Sequence, residues 1–481
     1  MTRDLPTVEP LPPLHPEAVR ILPLGGLGEI GLNMMVIEVE NRLLIIDCGL
    51  MFPEAYMLGI DLVIPDISAI SGRREDIAGI VLTHGHEDHI GAIPFLVEEL
   101  GCPPIYGSPL TLGLLATKLE EHQLKSKVDC QRVKIREPMT IGPFEVEFFR
   151  AAHSIVDGCG LAIRTSAGLI VHTGDFKLDP TPVDNQPTDL GRLAAYGEQG
   201  VLLLLADSTN VENAGQTLSE RTVGEAFDEL LPQCSGKVLV ATFSSNIHRI
   251  QQVINAAQKV DRKVVLSGRS MVSNIAIARQ LGYLHIPDDM LIDLRQMRDL
   301  RPNKILILTT GSQGEPMSAM ARIAVGEHRH VQVAEGDLVI HSAREIPGNV
   351  KSIDRMINHL LRRGARVVTA EECWYRSLAP LMEEVREQLG PEIPMYLSFD
   401  IDGLDPSVAP GTGTPEPGGL SWSEMMGILD FLFEEKDVFA YDVVELLPHD
   451  DDVVSSYTAA RLVYKIMNYH THHKLRGRVP P

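Results

Sequence analysis

The stretch Thr83-His84-Gly85-His86-Glu87-Asp88-His89 constrains this chain more than any other, because it packs three imidazoles and the Asp88 carboxylate into six residues. It follows the apolar run Ile80-Val81-Leu82, which predicts a short buried strand, and Gly85 is expected to let the chain turn at its end. His84 and His86 alternate across Gly85, so both rings can swing toward one point, while Asp88 and His89 can face a second point nearby. Neutral imidazole and carboxylate suit Zn²⁺ and similar borderline metals, and such sites need several ligands converging from different parts of a fold. The stretch must therefore sit where other strands end.

The rest of the composition narrows the class. A chain of 481 residues exceeds one ordinary domain. Its 44% hydrophobic and 22% charged content is that of a globular protein. A net charge of −22 makes the surface repel nucleic acid, so a polyanionic substrate would need a local basic or metal-lined channel. Apolar runs such as 201–206 fall far short of the roughly 20 residues of a membrane span. Met1–Arg20 is Pro-rich and acidic, without the basic start and apolar core of a signal peptide, so a cytoplasmic location is expected. Cys48, Cys102, Cys130, Cys159, Cys234 and Cys373 show no paired spacing and read as reduced thiols.

Ahead of the His-rich stretch, Gly26–Gly31 spells G-x-G-x-x-G. A dinucleotide site would need a helix next, yet Asn33–Val39 and Arg42–Asp47 read as two further strands of a meander. The glycines are thus expected in a tight loop near the metal centre. Asp47 closes a strand, where a carboxylate orients ligands from behind. Helices are predicted over Pro94–Leu100 and Leu110–His122, with strands at Pro104–Tyr106, Glu145–Phe149 and Leu169–His172. The last two deliver His153 and Asp175. An Asp at a strand end can bridge two metals held roughly 4 Å apart.

From about Val211 strands alternate with helices, which predicts a parallel α/β domain. Ligands bind beyond the strand ends of such sheets, and helix N-termini with hydroxyls and free amides favour phosphate. The loops there carry Ser244, Ser245, Asn246 and Arg249, then Arg269 and Ser270, then Ser312 and Gln313.

The order His-x-His-x-Asp-His, then a lone His, then a lone Asp, resembles the metallo-β-lactamase superfamily. Pro23–Gly31, Gly49–Glu54, Ile64-Pro65-Asp66, Leu82–Gly91 and Ala206–Asn210 are similar to the ribonuclease J family, and the middle of the chain resembles its β-CASP domain. The resemblance implies an α/β fold, an αβ/βα sandwich (1–210) with an inserted β-CASP parallel α/β domain (211–365). It implies that His84, His86 and His153 hold one metal, that Asp88 and His89 bind another, and that Asp175 bridges them. Asp88, Asp175 and His89 would then carry catalysis, with Asp47 and Asp207 in support. The eight loop residues from Ser244 to Gln313 become candidates for RNA backbone contacts. The cofactor would be Zn²⁺, two per chain, with Mn²⁺ or Mg²⁺ as alternatives. RNA would be the partner, with no membrane partner; self-association into a homo-oligomer is left open.

Beyond about Gly364 the resemblance changes. The family's Ser-Gly-His and Pro-Val-His-Gly motifs, the second of which supplies a ligand to the second metal, are absent. Tyr396–Pro406 and Ala409–Glu416 instead resemble the C-terminal part of agmatinase, in the arginase-like ureohydrolase family. That resemblance makes Asp400 and Asp402 a vestigial Mn²⁺ pair and Glu445 the match to a guanidinium-binding acid. The ureohydrolase Gly-Gly-Asp-His and Asp-Ala-His-x-Asp motifs do not occur. Residues 366–481 read as a βαβα segment that would take the place of the missing return to the sandwich. The expected activity is hydrolysis of RNA, internally and from the 5′ end, by a water that metals activate. A ureohydrolase and an RNA-binding module with a degenerate centre are the alternatives. The tail His470–Lys474 is expected to be frayed.

Overall fold

Alternating apolar side chains build two sheets that close on one shared core. In the computed structural model, which describes residues 12–476 except 13, 16, 54–56, 58, 210–218, 316, 344–348, 369–394, 413–419, 436–437 and 448–452, the first sheet has six strands. They lie in chain order: β1 (Arg20–Gly25), β2 (Met34–Val39), β3 (Arg42–Ile46), β4 (Ile77–Val81), β5 (Ile105–Gly107) and β6 (Cys130–Arg132). The first three pair antiparallel and the last four are parallel. The second sheet is an antiparallel meander of β7 (Met139–Ile141), β8 (Phe144–Arg150), β9 (Cys159–Thr165) and β10 (Gly168–His172), with β11 (Leu203–Leu205) parallel to β10. G-x-G-x-x-G is thus followed by β2 and β3, as its sequence context required.

Period two decides which side chains meet. Ile37 and Val39 of β2, Leu44 and Ile46 of β3 and Val81 of β4 share one cluster with Phe144, Val146 and Phe148 of β8 and Leu161 and Ile163 of β9. Helices α1 (Glu87–Ile90), α2 (Ile93–Leu96) and α3 (Pro109–Glu121) connect strands of the first sheet. The helix expected over 94–100 is therefore only the single turn α2. Helix α4 (Leu190–Gln199) packs Leu193 and Tyr196 on Phe149, Ala162, Leu169 and Val171, the opposite face of the second sheet.

The third sheet is wholly parallel, in the order β14-β13-β15-β12-β16-β17: β12 (Val238–Ala241), β13 (Lys263–Ser267), β14 (Leu291–Ile292), β15 (Ile305–Thr309), β16 (Leu338–His341) and β17 (Arg366–Val368). Helices α5 (Arg221–Gln233), α6 (Ile247–Lys259), α7 (Arg269–Gln280), α8 (Ala319–Val325) and α9 (Val350–Arg362) alternate with the strands. Every residue of β12 and β15 is buried, as strands covered on both faces must be.

In the C-terminal segment β18 (Met395–Asp400) pairs in parallel with β19 (Val438–Val444). Helices α10 (Trp422–Glu435) and α11 (Val453–Arg476) complete the predicted βαβα order around a core of its own, including Ile401, Met425, Leu429 and Leu462. One expectation, the frayed tail, is corrected here. The strand stops at Asp400, whose carboxylate accepts from the Asp402 amide (2.9 Å) and caps a helical turn over Ile401–Gly403. The tail is not frayed: α11 continues through it, with His470 edge-on to Tyr441. By compactness the chain falls into two units, residues up to Asp207 with Thr217–Val368, and the C-terminal segment with residues 208–216. Among the described residues no helix is long and apolar enough to cross a membrane.

Phe148 is fully buried between the two sandwich sheets. Phe148→Ala is expected to cost about 3–5 kcal/mol, read as an earlier transition in urea denaturation followed by circular dichroism. A loss below about 1 kcal/mol, the scale of a surface change, would contradict a face-to-face core.

Candidate metal centre

β3 and β4 run parallel with Ile46 opposite Val81, so their C-terminal ends place Asp47 beside Leu82 and Thr83. Asp47 takes the left-handed backbone (φ 59°), which Asp tolerates better than most residues, while its amide donates to the Val81 carbonyl (3.0 Å). Its buried carboxylate accepts from the Thr83 amide and the Thr83 hydroxyl, both at 2.8 Å, and meets His89 Nδ1 at 2.8 Å. Backbone bonds then clamp α1: Asn33 N to Asp88 O (3.0 Å), Cys48 N to His89 O (2.8 Å) and Leu50 N to Glu87 O (3.1 Å). Gly49 permits this approach, since a Cβ there would lie 1.6 Å from the Asp88 carbonyl oxygen. Gly85 serves packing, not a sharp turn. Its φ is not left-handed, and a Cβ would meet Leu114 of α3 at 2.8 Å.

The second sheet supplies the other half. The loop after β8 carries His153 and returns to β9, where the Cys159 amide donates to the Thr83 carbonyl (2.9 Å) and ties the two sheets at this rim. The loop after β10 carries Asp175. Below it the Asp207 amide donates to Thr173 Oγ1 (2.9 Å), and Asp207 Oδ2 accepts from the Phe176 amide (3.4 Å). Asp207 thus steadies the Asp175 loop.

These loops bring His84, His86, His89, Asp88, His153 and Asp175 into one cluster. His84, His86 and His153 each offer a nitrogen, all within 4.8 Å of one another, and His84, His89 and Asp175 form a second such set. His84 Nε2 lies 2.9 Å from His86 Nδ1, and His153 Nε2 lies 3.3 Å from the same atom. Asp175 spans both sets: Oδ2 is 3.7 Å from His153 Nε2 and 4.0 Å from His84 Nε2, while Oδ1 is 3.5 Å from His89 Nε2. Asp88 stands at the second set, with Oδ2 3.6 Å from His89 Nε2 and accepting from Asn33 Nδ2 (3.2 Å).

Electrostatics separate the two halves. Burial holds His84 well below the ordinary imidazole range, with His89, His86 and His153 adding repulsion. Burial, reinforced by His153, lowers His86 to about 3, and burial also lowers His153. Three uncharged rings with converging nitrogens are the ligating form of histidine. Burial opposes charge on His89 too, but the Asp88, Asp47 and Asp175 carboxylates outweigh it and raise its pKa well above the ordinary value. Asp175 is pushed the other way: burial resists its charge, yet His89 leads the imidazoles that hold it deprotonated. The donor set therefore fits divalent cations: converging nitrogens of uncharged rings on one side, excess negative charge on the other.

The loops of the parallel sheet divide. Arg269 and Ser270 are exposed at the start of α7, and Ser244 and Ser245 are half-buried after β12. Asn246, Arg249, Ser312 and Gln313 are buried. Asn246 Oδ1 caps α6 by accepting from the Arg249 amide (3.0 Å), and the Arg249 guanidinium binds Glu220 (2.7 Å) and Ser342 Oγ (2.7 Å). Ser312 receives His341 on its carbonyl, and Gln313 Oε1 accepts from Asn349 Nδ2 (3.3 Å). These four are engaged by partners within the fold. Among the described residues Asp400 and Asp402 join no group of three ligand-type side chains, and Glu445 is exposed. Sequence reasoning passed over Asn33, whose amide nitrogen touches both Asp88 and His89 (3.2 and 3.1 Å), and Thr83, the hinge between Asp47 and the histidines. Thr83 adjoins His84 and was detectable; Asn33 is distant in sequence and carries no signal of its own.

Comparison with known proteins agrees with this anatomy. Residues 27–190 match the metallo-beta-lactamase superfamily, 235–360 the description "Ribonuclease J, beta-CASP domain", and 319–468 the arginase family, the last two overlapping over 319–360. Ribonuclease J of Helicobacter pylori is 51% identical over 355 residues, which is 74% of this chain and 51% of that protein. Ribonuclease J of Synechocystis is 46% identical over 73% of this chain and 55% of its own length, and that of Mycobacterium tuberculosis 46% over 77% and 65%. The chain thus spans about half to two thirds of the length of these relatives. A solved structure from Enterococcus faecalis, titled a protein of unknown function, superposes with TM-score 0.53 at 14% identity over 79% of this chain and 92% of its own, and shares the fold. Over its first three quarters, therefore, the chain carries the metallo-β-lactamase and β-CASP domains that it shares with ribonuclease J proteins, and a segment similar to the arginase family follows.

Proposed function

We propose that this chain is a metal-dependent ribonuclease of the ribonuclease J type, cleaving RNA phosphodiester bonds internally and from the 5′ end. The observation that carries this reading is Asp175, which turns one carboxylate oxygen to each of two ligand sets at the rim of the sandwich. The ribonuclease J relatives, about half identical over the matched residues, support it. Two Zn²⁺ ions are the proposed occupants, with Mn²⁺ or Mg²⁺ as substitutes. Bound divalent ions supply activation of a water and neutralisation of charge on the phosphate.

The residues do the rest. His84, His86 and His153, held uncharged by burial, would hold one ion. Asp88, His89 and Asp175 would hold the other, while Asp47 and Thr83 fix the His89 ring through its Nδ1 edge. Arg269, Ser270, Ser244 and Ser245 are the proposed RNA contacts, since they remain accessible at the strand ends of the parallel sheet. A surface of net charge −22 makes such local cation and metal contacts necessary for a polyanion. The ureohydrolase reading gains nothing, because Asp400 and Asp402 have no third ligand among the described residues. A cytoplasmic location suits RNA turnover and the five described cysteines, all free.

His86→Ala is expected to abolish cleavage of 5′-monophosphorylated RNA with unchanged circular dichroism; retained activity would sink the assignment. Elemental analysis should find two ions per chain, and one would indicate that the Asp88–His89 half stays empty. The raised pKa of His89 sets a sign for metal uptake: that ring must lose its proton, whereas His84, His86 and His153 are already neutral at pH 7. Apparent affinity at the His89 half should therefore increase with pH, by up to about tenfold per unit, until the raised pKa is passed. An indicator dye at pH 7 should report about one proton released as that half fills; no release would contradict a protonated His89.

A further inference from the structure

The loops bearing His153 and Asp175 are not held by the sandwich alone. They touch each other first: the Lys177 amide donates to the Ala152 carbonyl (2.8 Å). The Thr188 hydroxyl accepts from the Ala152 amide (2.9 Å) and donates to the Lys177 carbonyl (2.9 Å). His153 adjoins Ala152 and Asp175 lies two residues before Lys177, so the two loops form one hydrogen-bonded piece. The Lys177 side chain then leaves the sandwich. Its ammonium reaches Glu220 Oε1 (3.3 Å), at the entry to α5 of the α/β domain, and lies 3.7 Å from Asp179. The other Glu220 oxygen takes Arg249 Nη2 (2.7 Å), and Arg249 in turn holds Ser342 Oγ (2.7 Å) at the end of β16. The Glu220 backbone is pinned on both sides: its amide donates to Asp179 Oδ2 (3.3 Å) and its carbonyl accepts from Gln252 Nε2 (2.7 Å). Ser219 Oγ completes the junction on Asp179 Oδ2 (3.0 Å). Removing one member of such a part-buried charged network leaves its neighbours short of a partner.

We propose that Glu220 is a positioning residue: through Lys177 it lets the seating of the α/β domain set the placement of His153 and Asp175, so that metal grip depends on domain seating. This rests on the metal-centre reading above. Glu220 touches no ligand atom, and its effect travels through one side chain and the paired loops.

The full chain titrated with Co²⁺, followed by its visible absorption bands and by competition with a chromophoric chelator, tests this. Glu220→Gln keeps size and an acceptor but removes the charge. It is expected to weaken Co²⁺ binding about tenfold, the scale of groups that orient ligands, and to shift the bands, with unchanged circular dichroism. Lys177→Met should do the same, and the double variant should lose no more than either single one. Asp337→Asn is the control. Asp337 caps the Lys237 and Ala334 amides (2.7 and 2.9 Å) deep in the same α/β domain, far along the chain from both loops. It should lower the melting temperature and leave the Co²⁺ bands in place. Unchanged affinity in folded Glu220→Gln, additive losses in the double variant, or equal band shifts in Asp337→Asn would each overturn the proposal. If Glu220→Gln does not fold, Lys177→Met alone decides by the same criteria. RNA cleavage is not a readout. A wild-type chain that binds Co²⁺ and leaves RNA intact removes the ribonuclease reading alone, and one that binds no Co²⁺ overturns both.

Discussion

The Asp47 carboxylate is the contact on which the rest of the site depends. Buried at the end of β3, it accepts two hydrogen bonds from Thr83 and meets His89 Nδ1 at 2.8 Å, so one side chain fixes both ends of the His-rich stretch. The left-handed backbone of Asp47 then directs Cys48–Leu50 alongside α1, where backbone bonds leave Asp88 and His89 little freedom. A buried carboxylate is costly unless its acceptors are filled, and here the filling groups belong to the motif it organises. Sandwich closure and site assembly are thereby the same event: the Cys159 amide reaches the Thr83 carbonyl across the rim only when β9 lies over β4.

The same logic explains how charge is distributed. Three rings are driven neutral by burial, and one is driven cationic by three carboxylates, within a single cluster. The chain as a whole carries a net charge of −22, so under the proposed function the metal centre and the exposed Arg269 would be what meets RNA.

The C-terminal segment shows why a sequence resemblance and a site are different claims. Its strands, helices and apolar cluster form as the pattern of the arginase family leads one to expect. Asp400, however, spends an oxygen on the Asp402 amide, and Asp402 lies in the turn beyond the strand, so the two do not stand two residues apart on one strand. A missing partner cannot be inferred from the two residues that remain.

Local pattern carried much of this protein. The run before Thr83, the near-continuous apolar runs of β2 and β3, the alternation in β8, and the wholly buried β12 and β15 each declare an element, because period and burial are written residue by residue. The ligand types were legible too, since few residues other than His and Asp offer a metal such donors. What no stretch contains is the pairing between distant stretches. Asn33 meets Asp88 and His89 only because β2 lies beside β3 and β3 beside β4. Arg249, which reads as a phosphate ligand at a helix start, is turned inward by Glu220 and Ser342, and nothing in its own neighbourhood says so. The sequence by itself determined the elements and the chemical kind of the centre. Tertiary structure alone decided which side chains face the site and which are consumed within the fold, because burial and hydrogen-bond partners depend on contacts made across the whole chain.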